Sequence, residues 1–256
     1  MSFFPIGDFH IESTEQARIF SDYLNRRAEG VIVLLGDVIH FANSIWNTSK
    51  DVPIEEKQQN IPKDVSIWEE FIASIKKATI YYLGSHEMFA LRVISNLFPS
   101  LKPKICSDFV YLPKDFELIS IGGKNNSVFI TGLHIPDNIC HDFKSEKFLK
   151  RKELIENWIA SKVKSLNLKR PKETYLCTHD PTDSYYANLG YNALTEILLK
   201  YSPKVHYHAH IHSNIRKTVV GETPSVNRSF VALSRFEPEA LEPSTPALKS
   251  LYERDI

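Results

Sequence analysis

The sequence lacks the features that would assign it to a specialised class of protein. Its 31 Lys and Arg residues balance its 31 Asp and Glu residues, so no net charge draws the chain toward nucleic acid or an anionic membrane. Its three cysteines are widely spaced and form no CxxC pair, which is typical of reduced thiols in a cytoplasmic protein. No apolar run approaches the roughly 18 residues that a membrane helix needs, and no basic segment typical of a signal peptide begins the chain. We therefore expect a cytoplasmic protein without a membrane partner.

The 256 residues contain no internal repeat, low-complexity block or clear linker, and their hydrophobic content of 43% is ordinary for a globular protein. This length is sufficient for a sizeable hydrophobic core. We therefore predict one domain over residues 1–256, in which residues 236–256 form a proline-containing C-terminal arm.

The spacing of apolar residues predicts an α/β fold. An apolar run at residues 2–6, a helix with a capping box at Ser13 and Gln16 that ends at Gly30, and a buried strand at Val31–Leu35 indicate a β-α-β unit with parallel strands. Val38–Pro62 is predicted to be a long irregular loop. Later helices are expected around residues 68–75, 88–97, 147–166 and 194–201. Later strands are expected at residues 79–83, 109–112, 116–121, 128–131, 174–177, 204–209, 217–220 and 230–233, with those between 109 and 131 antiparallel.

Potential metal ligands follow five of the apolar runs. They are Asp8 and His10, Asp37, Ser85 and His86, His179, and His210 and His212. Because the carboxyl ends of parallel strands meet at one edge of a sheet, these side chains are expected to form a polar, metal-sized pocket. Carboxylate and imidazole together suit Mn, Fe, Zn or Co better than Ca or Mg.

The same residues resemble the five sequence blocks of the calcineurin-like metallophosphoesterase superfamily, which run D-x-H, G-D, G-N-H-E/D, H and G-H-x-H. The matching blocks, in the same order, are Asp8-Phe9-His10, Gly36-Asp37, Gly84-Ser85-His86-Glu87, His179 and Ala209-His210-Ile211-His212. The resemblance spans about residues 6–212. It implies a four-layer α/β/β/α sandwich with two mixed β-sheets and a binuclear metal centre.

The resemblance also implies a role for each residue. The expected cofactors are two divalent transition metals, drawn from Mn, Fe, Zn, Ni and Co, with Mn favoured. His86 would be a catalytic histidine that stabilises the phosphoryl oxygens or protonates the leaving oxygen. The implied ligands are Asp8, His10 and His212 for the first metal, Asp37 as the bridge, and Ser85, His179 and His210 for the second metal.

Two positions depart from the family pattern. Ser85 stands where the family has Asn, and its hydroxyl is a shorter and poorer neutral donor to the second metal than an amide oxygen. Ala209 replaces the usual Gly of the last block, which matters only if that position requires a positive φ.

The activity that the resemblance implies is hydrolysis of phosphomonoester or phosphodiester bonds by a hydroxide that bridges the two metals. The substrate would be a small-molecule phosphate ester or a nucleotide. One alternative is a Mn-dependent nuclease, which the balanced charge does not favour, although residues 147–170 offer a local basic face. A second alternative is a weakly active or non-catalytic scaffold that binds a protein partner, and Ser85 keeps it open.

Four further histidines have other expected places. His206 and His208 lie within a strand and are expected to support the site from the core. His40 faces either the substrate or solvent, and His134 is either a pocket wall or a core residue with satisfied hydrogen bonds. Substrate selectivity is expected to reside in Val38–Pro62 and in the loops around His134 and Asp180.

Overall fold

A computed structural model describes residues 2–27, 30–46, 52–122, 127–135, 146–163, 166, 170–183, 190–214 and 217–236. Cys140 and the predicted arm beyond residue 236 lie outside this described part of the chain. Among the described residues, no helix has both the length and the apolar character of a membrane span.

The first sheet is built from parallel strands in the order β1-β2-β3-β4. Its strands are β1 (Phe3–Ile6), β2 (Val31–Leu34), β3 (Thr79–Tyr81) and β4 (Val110–Tyr111). The helices between them are α1 (Thr14–Arg27), α2 (Ile54–Gln59), α3 (Ile61–Ser74) and α4 (Ser85–Leu97). The predicted β-α-β unit is therefore present, with β1 parallel to β2.

The second sheet is mixed and runs in the order β5-β6-β7-β8-β10-β9. Its strands are β5 (Ile119–Ile121), β6 (Val128–Leu133), β7 (Thr174–Thr178), β8 (Val205–His208), β9 (Lys217–Val220) and β10 (Thr223–Asn227). The accompanying helices are α5 (Glu146–Val163), α6 (Asn192–Tyr201) and α7 (Phe230–Phe236). Its four central strands are parallel, and β5 and β9 close the two edges in the antiparallel direction.

Successive side chains of a strand point to opposite faces of its sheet, and this alternation divides the core into three layers. In β2 and the residue after it, Ile32 and Leu34 pack in a cluster with α1 and α3, whereas Val33 and Leu35 pack in a cluster with the second sheet. Leu176 of β7 belongs to a third cluster, with α5 and α6. This arrangement confirms the predicted four-layer α/β/β/α sandwich. The first sheet is parallel throughout its described strands.

Three predictions about local structure were wrong. Val38–Pro62 contains α2 and the start of α3 and is not an irregular loop throughout. The run at residues 109–112 forms β4, which pairs in parallel with β3 and is not antiparallel. The run at residues 230–233 begins α7, and the strand of this region, β10, was missed. Packing explains the last error, because Phe230 is buried against Phe9 and Phe20 on the helical side of the first sheet.

The predicted capping box at the start of α1 forms with a shift of one residue. Ser13 Oγ accepts a hydrogen bond from the N–H of Gln16 at 3.2 Å, as expected for an N-cap. The side-chain oxygen of Gln16 accepts from the N–H of Glu12 at 2.6 Å, one residue before the N-cap.

His134 connects the two sheets and has both ring nitrogens satisfied. Its Nδ1 accepts from the N–H of Leu83 at 2.9 Å, just beyond β3. Its Nε2 donates to the carbonyl of Pro113 at 2.6 Å. Of the two places expected for this histidine, the structure matches the satisfied core residue. This pattern requires a neutral ring, and burial lowers the pKa of His134 below its usual value.

We predict that His134 makes stability fall in mild acid. Below about pH 6.5 the unfolded chain binds a proton that the folded His134 rejects, so its contribution is complete above that pH and is lost as the pH falls. His134→Asn should reduce the pH dependence of the urea-unfolding free energy by up to about 1.4 kcal/mol per pH unit. Comparison of wild type and variant at about pH 7.5 and about pH 5.5 measures the difference. Parallel pH dependences would contradict the role.

Candidate metal centre

The segments after β1 and β2 run side by side and bring the first predicted ligands together. The N–H of Asp8 donates to the carbonyl of Gly36 at 2.9 Å, and the N–H of His10 donates to the carbonyl of Asp37 at 3.1 Å. An isolated bridge between Ile11 and residue 39 continues this pairing. The parallel order of the strands thus extends into the site, as the convergence of strand ends requires.

Four of the predicted ligands have a backbone conformation that L-residues rarely adopt. The φ angles of Asp8, His10, Asp37 and His210 are 57°, 49°, 48° and 61°. A left-handed residue other than glycine costs about 1–3 kcal/mol and persists only where its surroundings enforce it. Concentration of this strain at the strand ends is typical of a functional site.

Two glycines allow the second and third strand ends to approach each other. Gly36 has a φ of 84°, and a Cβ there would lie 2.2 Å from the backbone nitrogen of Gly84. A Cβ at Gly84 would lie 2.4 Å from Asp37 Oδ1 and 2.9 Å from His179 Nδ1. Neither position has room for a side chain, and this steric restriction explains why both sequence blocks contain a glycine there.

Asp8, His10 and His212 form the first group of potential ligands. One ligand atom from each lies within 4.8 Å of the others. Asp8 is fully buried, and its carboxylate oxygens have no hydrogen-bond partner within the described residues. The nearest opposite charge is His212, whose Nε2 lies 3.5 Å from Asp8 Oδ2. A buried carboxylate in this environment is suited to bind a cation.

Asp37, His179 and His210 form the second group, also within 4.8 Å. His179 Nε2 lies 3.0 Å from Asp37 Oδ2 and 2.9 Å from His210 Nδ1. The other nitrogen of His179, Nδ1, donates to the carbonyl of Leu35 at 2.8 Å. This bond fixes the tautomer and leaves Nε2 for a ligand, which is the usual arrangement of histidines that bind metals.

The electrostatics of the site follow from its two buried carboxylates. Burial alone would raise the pKa of Asp37, but the nearby His179 and His86 hold it well below its usual value. Burial likewise favours neutral His179, yet Asp37 outweighs it and raises the pKa of His179 well above normal. Burial and neighbouring histidines lower the pKa of His10 to about 3 and that of His210 to about 4. The centre therefore combines ionised carboxylates with imidazoles, of which His10 and His210 are neutral whereas the carboxylates favour a proton on His179. A cation would take the place of that proton, and carboxylate with imidazole is a donor set that fits divalent transition metals.

Ser85 and His86 begin α4 directly beside Asp37. Ser85 Oγ donates to Asp37 Oδ2 at 3.0 Å, and the N–H of His86 donates to Asp37 Oδ1 at 2.8 Å. The His86 ring lies farther away, with its Nε2 3.8 Å from Asp37 Oδ2. Ser85 is thus close enough to act on the second group, but its hydroxyl hydrogen points to the carboxylate that was predicted to bridge the metals.

Glu87 has a positioning role that was not recognised from the sequence, although it belongs to a family block. Its carboxylate is fully buried and accepts from the N–H groups of Asp37, Val38, residue 39 and Gly84 at 2.8, 2.6, 3.1 and 2.9 Å. Burial and the charge of Asp37 raise the pKa of Glu87 to about 7, while the backbone bonds oppose that rise. The four bonds fix the turn that carries Asp37.

The last strand ends are held by buried polar side chains. The hydroxyl of Thr178 donates to the carbonyl of Asp180 at 2.6 Å, so it accepts from His206 Nε2 at 2.8 Å. His206 Nδ1 in turn lies 2.9 Å from Ser225 Oγ. Asn227 of β10 donates to the carbonyl of Ile211 at 2.6 Å, between two predicted ligands. The structure therefore gives His206 the supporting place that was expected.

His208 is also fully buried, and burial lowers its pKa to about 3. It packs beside His206, with ring centroids 5.3 Å apart. Its position agrees with the expected place in the core.

The family of the chain follows from comparison with known proteins. The family model for the calcineurin-like phosphoesterases matches residues 1–214. The chain belongs to the calcineurin-like phosphoesterase family. The crystal structure of Phosphopantetheinyl Hydrolase from Mycobacterium tuberculosis aligns with a TM-score of 0.53 at 12% identity, over 95% of this chain and 96% of that chain. A dimetal phosphatase from Danio rerio aligns with a TM-score of 0.49 at 12% identity, over 88% and 86% of the two chains. No curated protein matches the sequence.

Membership of the calcineurin-like phosphoesterase family supports metal-dependent hydrolysis of phosphoesters. The family depends on two divalent metals, and the two ligand groups fit that requirement. Ala209, the second departure from the family pattern, is fully buried and is not among the residues with positive φ. A Cβ on Gly7 would lie 3.0 Å from the Cβ of Ala209. The methyl group of Ala209 therefore fits because its neighbour at position 7 is a glycine.

We predict that Glu87→Gln weakens both the fold and the metal centre. The amide NH₂ would face backbone N–H groups that now have an acceptor, at a cost of about 1–3 kcal/mol in unfolding free energy. Urea unfolding and manganese content after dialysis measure the two effects. Glu69→Gln is the matched control, because Glu69 is partly exposed and accepts from the N–H of Lys104 at 2.9 Å. Equal unfolding free energies for the two variants would contradict the role of Glu87.

A second prediction concerns the departure at Ser85. Ser85→Asn supplies an amide oxygen to the second group and should raise the affinity for the second ion about tenfold. Manganese titration followed by calorimetry separates the two binding steps. Ser85→Ala, which removes only the hydroxyl, is the control for the lost bond to Asp37. An unchanged second step in the Asn variant would show that the hydroxyl serves as well as an amide.

Proposed function

We propose that this protein is a phosphoesterase that hydrolyses a small-molecule phosphate ester or a nucleotide at a binuclear centre. Manganese is the favoured metal, and the cytoplasm is the proposed location. The observation that carries the proposal is the adjacency of the two carboxylate–histidine groups to His86, a histidine that belongs to neither. Carboxylates, metal-binding imidazoles and the further imidazole of His86 are thus available at one edge of the sheets. They can serve metal binding, charge stabilisation and proton transfer.

The proposed ligands divide as the sequence blocks imply. Asp8, His10 and His212 would hold the first ion, and His179 and His210 the second, with Asp37 shared and Ser85 beside it. When bound, the two divalent ions would supply Lewis-acid charge to the phosphoryl oxygens and activate water. The protein would contribute rigid placement of these ligands, because their backbones are fixed by the strand ends.

His86 is the proposed catalytic residue. Its ring is half-buried and stacks against the indole of Trp46, with centroids 4.6 Å apart and planes at 29°. Burial lowers the pKa of His86, whereas the charge of Asp37 opposes that effect. A histidine balanced in this way can hydrogen-bond a phosphoryl oxygen and pass a proton to the leaving oxygen. Trp46 limits the rotation of the ring and lies within the segment where selectivity was expected.

We predict that His86→Ala keeps both metals but loses most turnover. General acid–base assistance is worth about 10²–10⁴-fold, so kcat on an aryl phosphate or bis-aryl phosphodiester should fall by that factor. Elemental analysis after dialysis measures the metals that remain. Unchanged kcat would remove His86 from the mechanism.

His212→Ala is the matched histidine variant for this experiment. It removes a proposed ligand of the first metal, so metal content and activity should fall together. Fewer than one metal per chain in the wild-type protein would reject the proposed centre altogether.

A further inference from the structure

A third group of histidines lies at the edge of the proposed centre. The ring centroids of His10 and His86 are 5.0 Å apart, those of His40 and His86 are 5.1 Å apart, and those of His10 and His40 are 5.5 Å apart. Each pair meets edge to face, at 64–66°. One ring nitrogen from each lies within 4.8 Å of the others, so the three imidazoles can converge on one ion.

Two of these rings carry nitrogens that are not engaged. Nδ1 of His10 and Nδ1 of His86 are buried and have no hydrogen-bond partner within the described residues. Such atoms lose the free energy of hydration without compensation. All three side chains nevertheless keep part of their surface exposed to solvent. The cluster is therefore both accessible and undersatisfied.

The chemistry of this cluster differs from that of the binuclear centre. It offers three imidazoles and no carboxylate of its own, although Asp37 Oδ2 lies 3.8 Å from His86 Nε2. Imidazole suits Zn, Cu and Ni, whereas Mn and Mg prefer oxygen ligands. Three histidines with an open fourth position form a recognised zinc donor set. The cluster should consequently select zinc over manganese.

We propose that His10, His40 and His86 form an inhibitory site for a third ion, Zn²⁺ or a similar borderline ion. His10 would be shared with the first ion of the binuclear centre, with one ring nitrogen facing each ion and the ring proton that zinc displaces passing to solvent. The inhibition rests on the proposed function, because it requires His86 to be the catalytic histidine. An ion that binds a nitrogen of His86 removes it from the substrate. His40 belongs to neither proposed metal group of the centre and, unlike His86, has no proposed part in catalysis, so it is the residue on which the test depends.

The direct test counts zinc ions by equilibrium dialysis of the full chain. Wild type is expected to bind three per chain and His40→Phe two, because phenylalanine keeps the ring and removes both nitrogens. Two ions in wild type would overturn the proposal. A fall below two in His40→Phe would also overturn it, because His40 would then be a ligand of the binuclear centre. Addition of Co²⁺ should give a separate spectral change at the third equivalent in wild type only.

The activity test titrates the manganese-loaded protein with zinc, using a bis-aryl phosphodiester. Each protein is normalised to its own rate without zinc, so exchange of manganese at the binuclear centre affects both proteins alike. Wild type should lose about a hundredfold in rate, the lower range for removal of an acid–base group, and His40→Phe should resist. Magnesium at the same concentration should not inhibit wild type. Equal zinc inhibition of both proteins would overturn the proposal.

Failure of the proposed function gives a different result. If the manganese-loaded chain hydrolyses no phosphate ester but wild type binds three zinc ions and His40→Phe two, the zinc site stands and the phosphoesterase proposal is rejected.

Discussion

The carboxylate of Glu87 is the interaction on which the geometry of the proposed centre depends. It accepts hydrogen bonds from the N–H groups of every residue in the turn from Asp37 to Ile39, and from the N–H of Gly84. These donors lie at the ends of two neighbouring strands and are buried, so bulk solvent does not replace a lost acceptor. One buried side chain thus fixes Asp37 in its left-handed conformation and holds the start of α4 against it. Glu87 therefore positions Asp37 and need not contact the substrate itself.

The backbone strain at the strand ends also depends on hydrogen bonds made by the surrounding backbone. Asp8, His10, Asp37 and His210 can remain at positive φ because the surrounding backbone bonds leave no alternative. Asp8 adds a second cost, since its buried carboxylate has no hydrogen-bond partner within the described residues. A cation at this place would offset both costs, so metal binding and folding are expected to be coupled. The ligands are then arranged before the ion arrives, which is what precise placement of two ions requires.

The sequence predicted those parts of the fold and site that follow from strand order. The eight residues named from the blocks come together because parallel strands end at the same edge, and this rule needs no knowledge of distant contacts. The parallel pairing of β4 and the helical state of α7 were not predictable in the same way. Short apolar runs fit either a strand or a helix, and here the packing of Phe230 on Phe9 and Phe20 decides. The roles of Glu87 and Asn227 depend on bonds to backbone far along the chain, which no spacing reveals.

Ser85 and His40 both shift the donor atoms of the proposed centre from oxygen toward nitrogen. An Asn at position 85 would add an oxygen ligand, whereas the serine hydroxyl donates to Asp37 and draws charge from the carboxylate that the metals would share. His40 adds imidazole beside His10 and His86. The donor set of this chain is therefore shifted from oxygen toward nitrogen relative to the family pattern. Since nitrogen donors favour zinc, copper and nickel over manganese, the metal that is bound should depend on its supply as much as on the site. A centre of this kind has a chemical reason to respond to zinc.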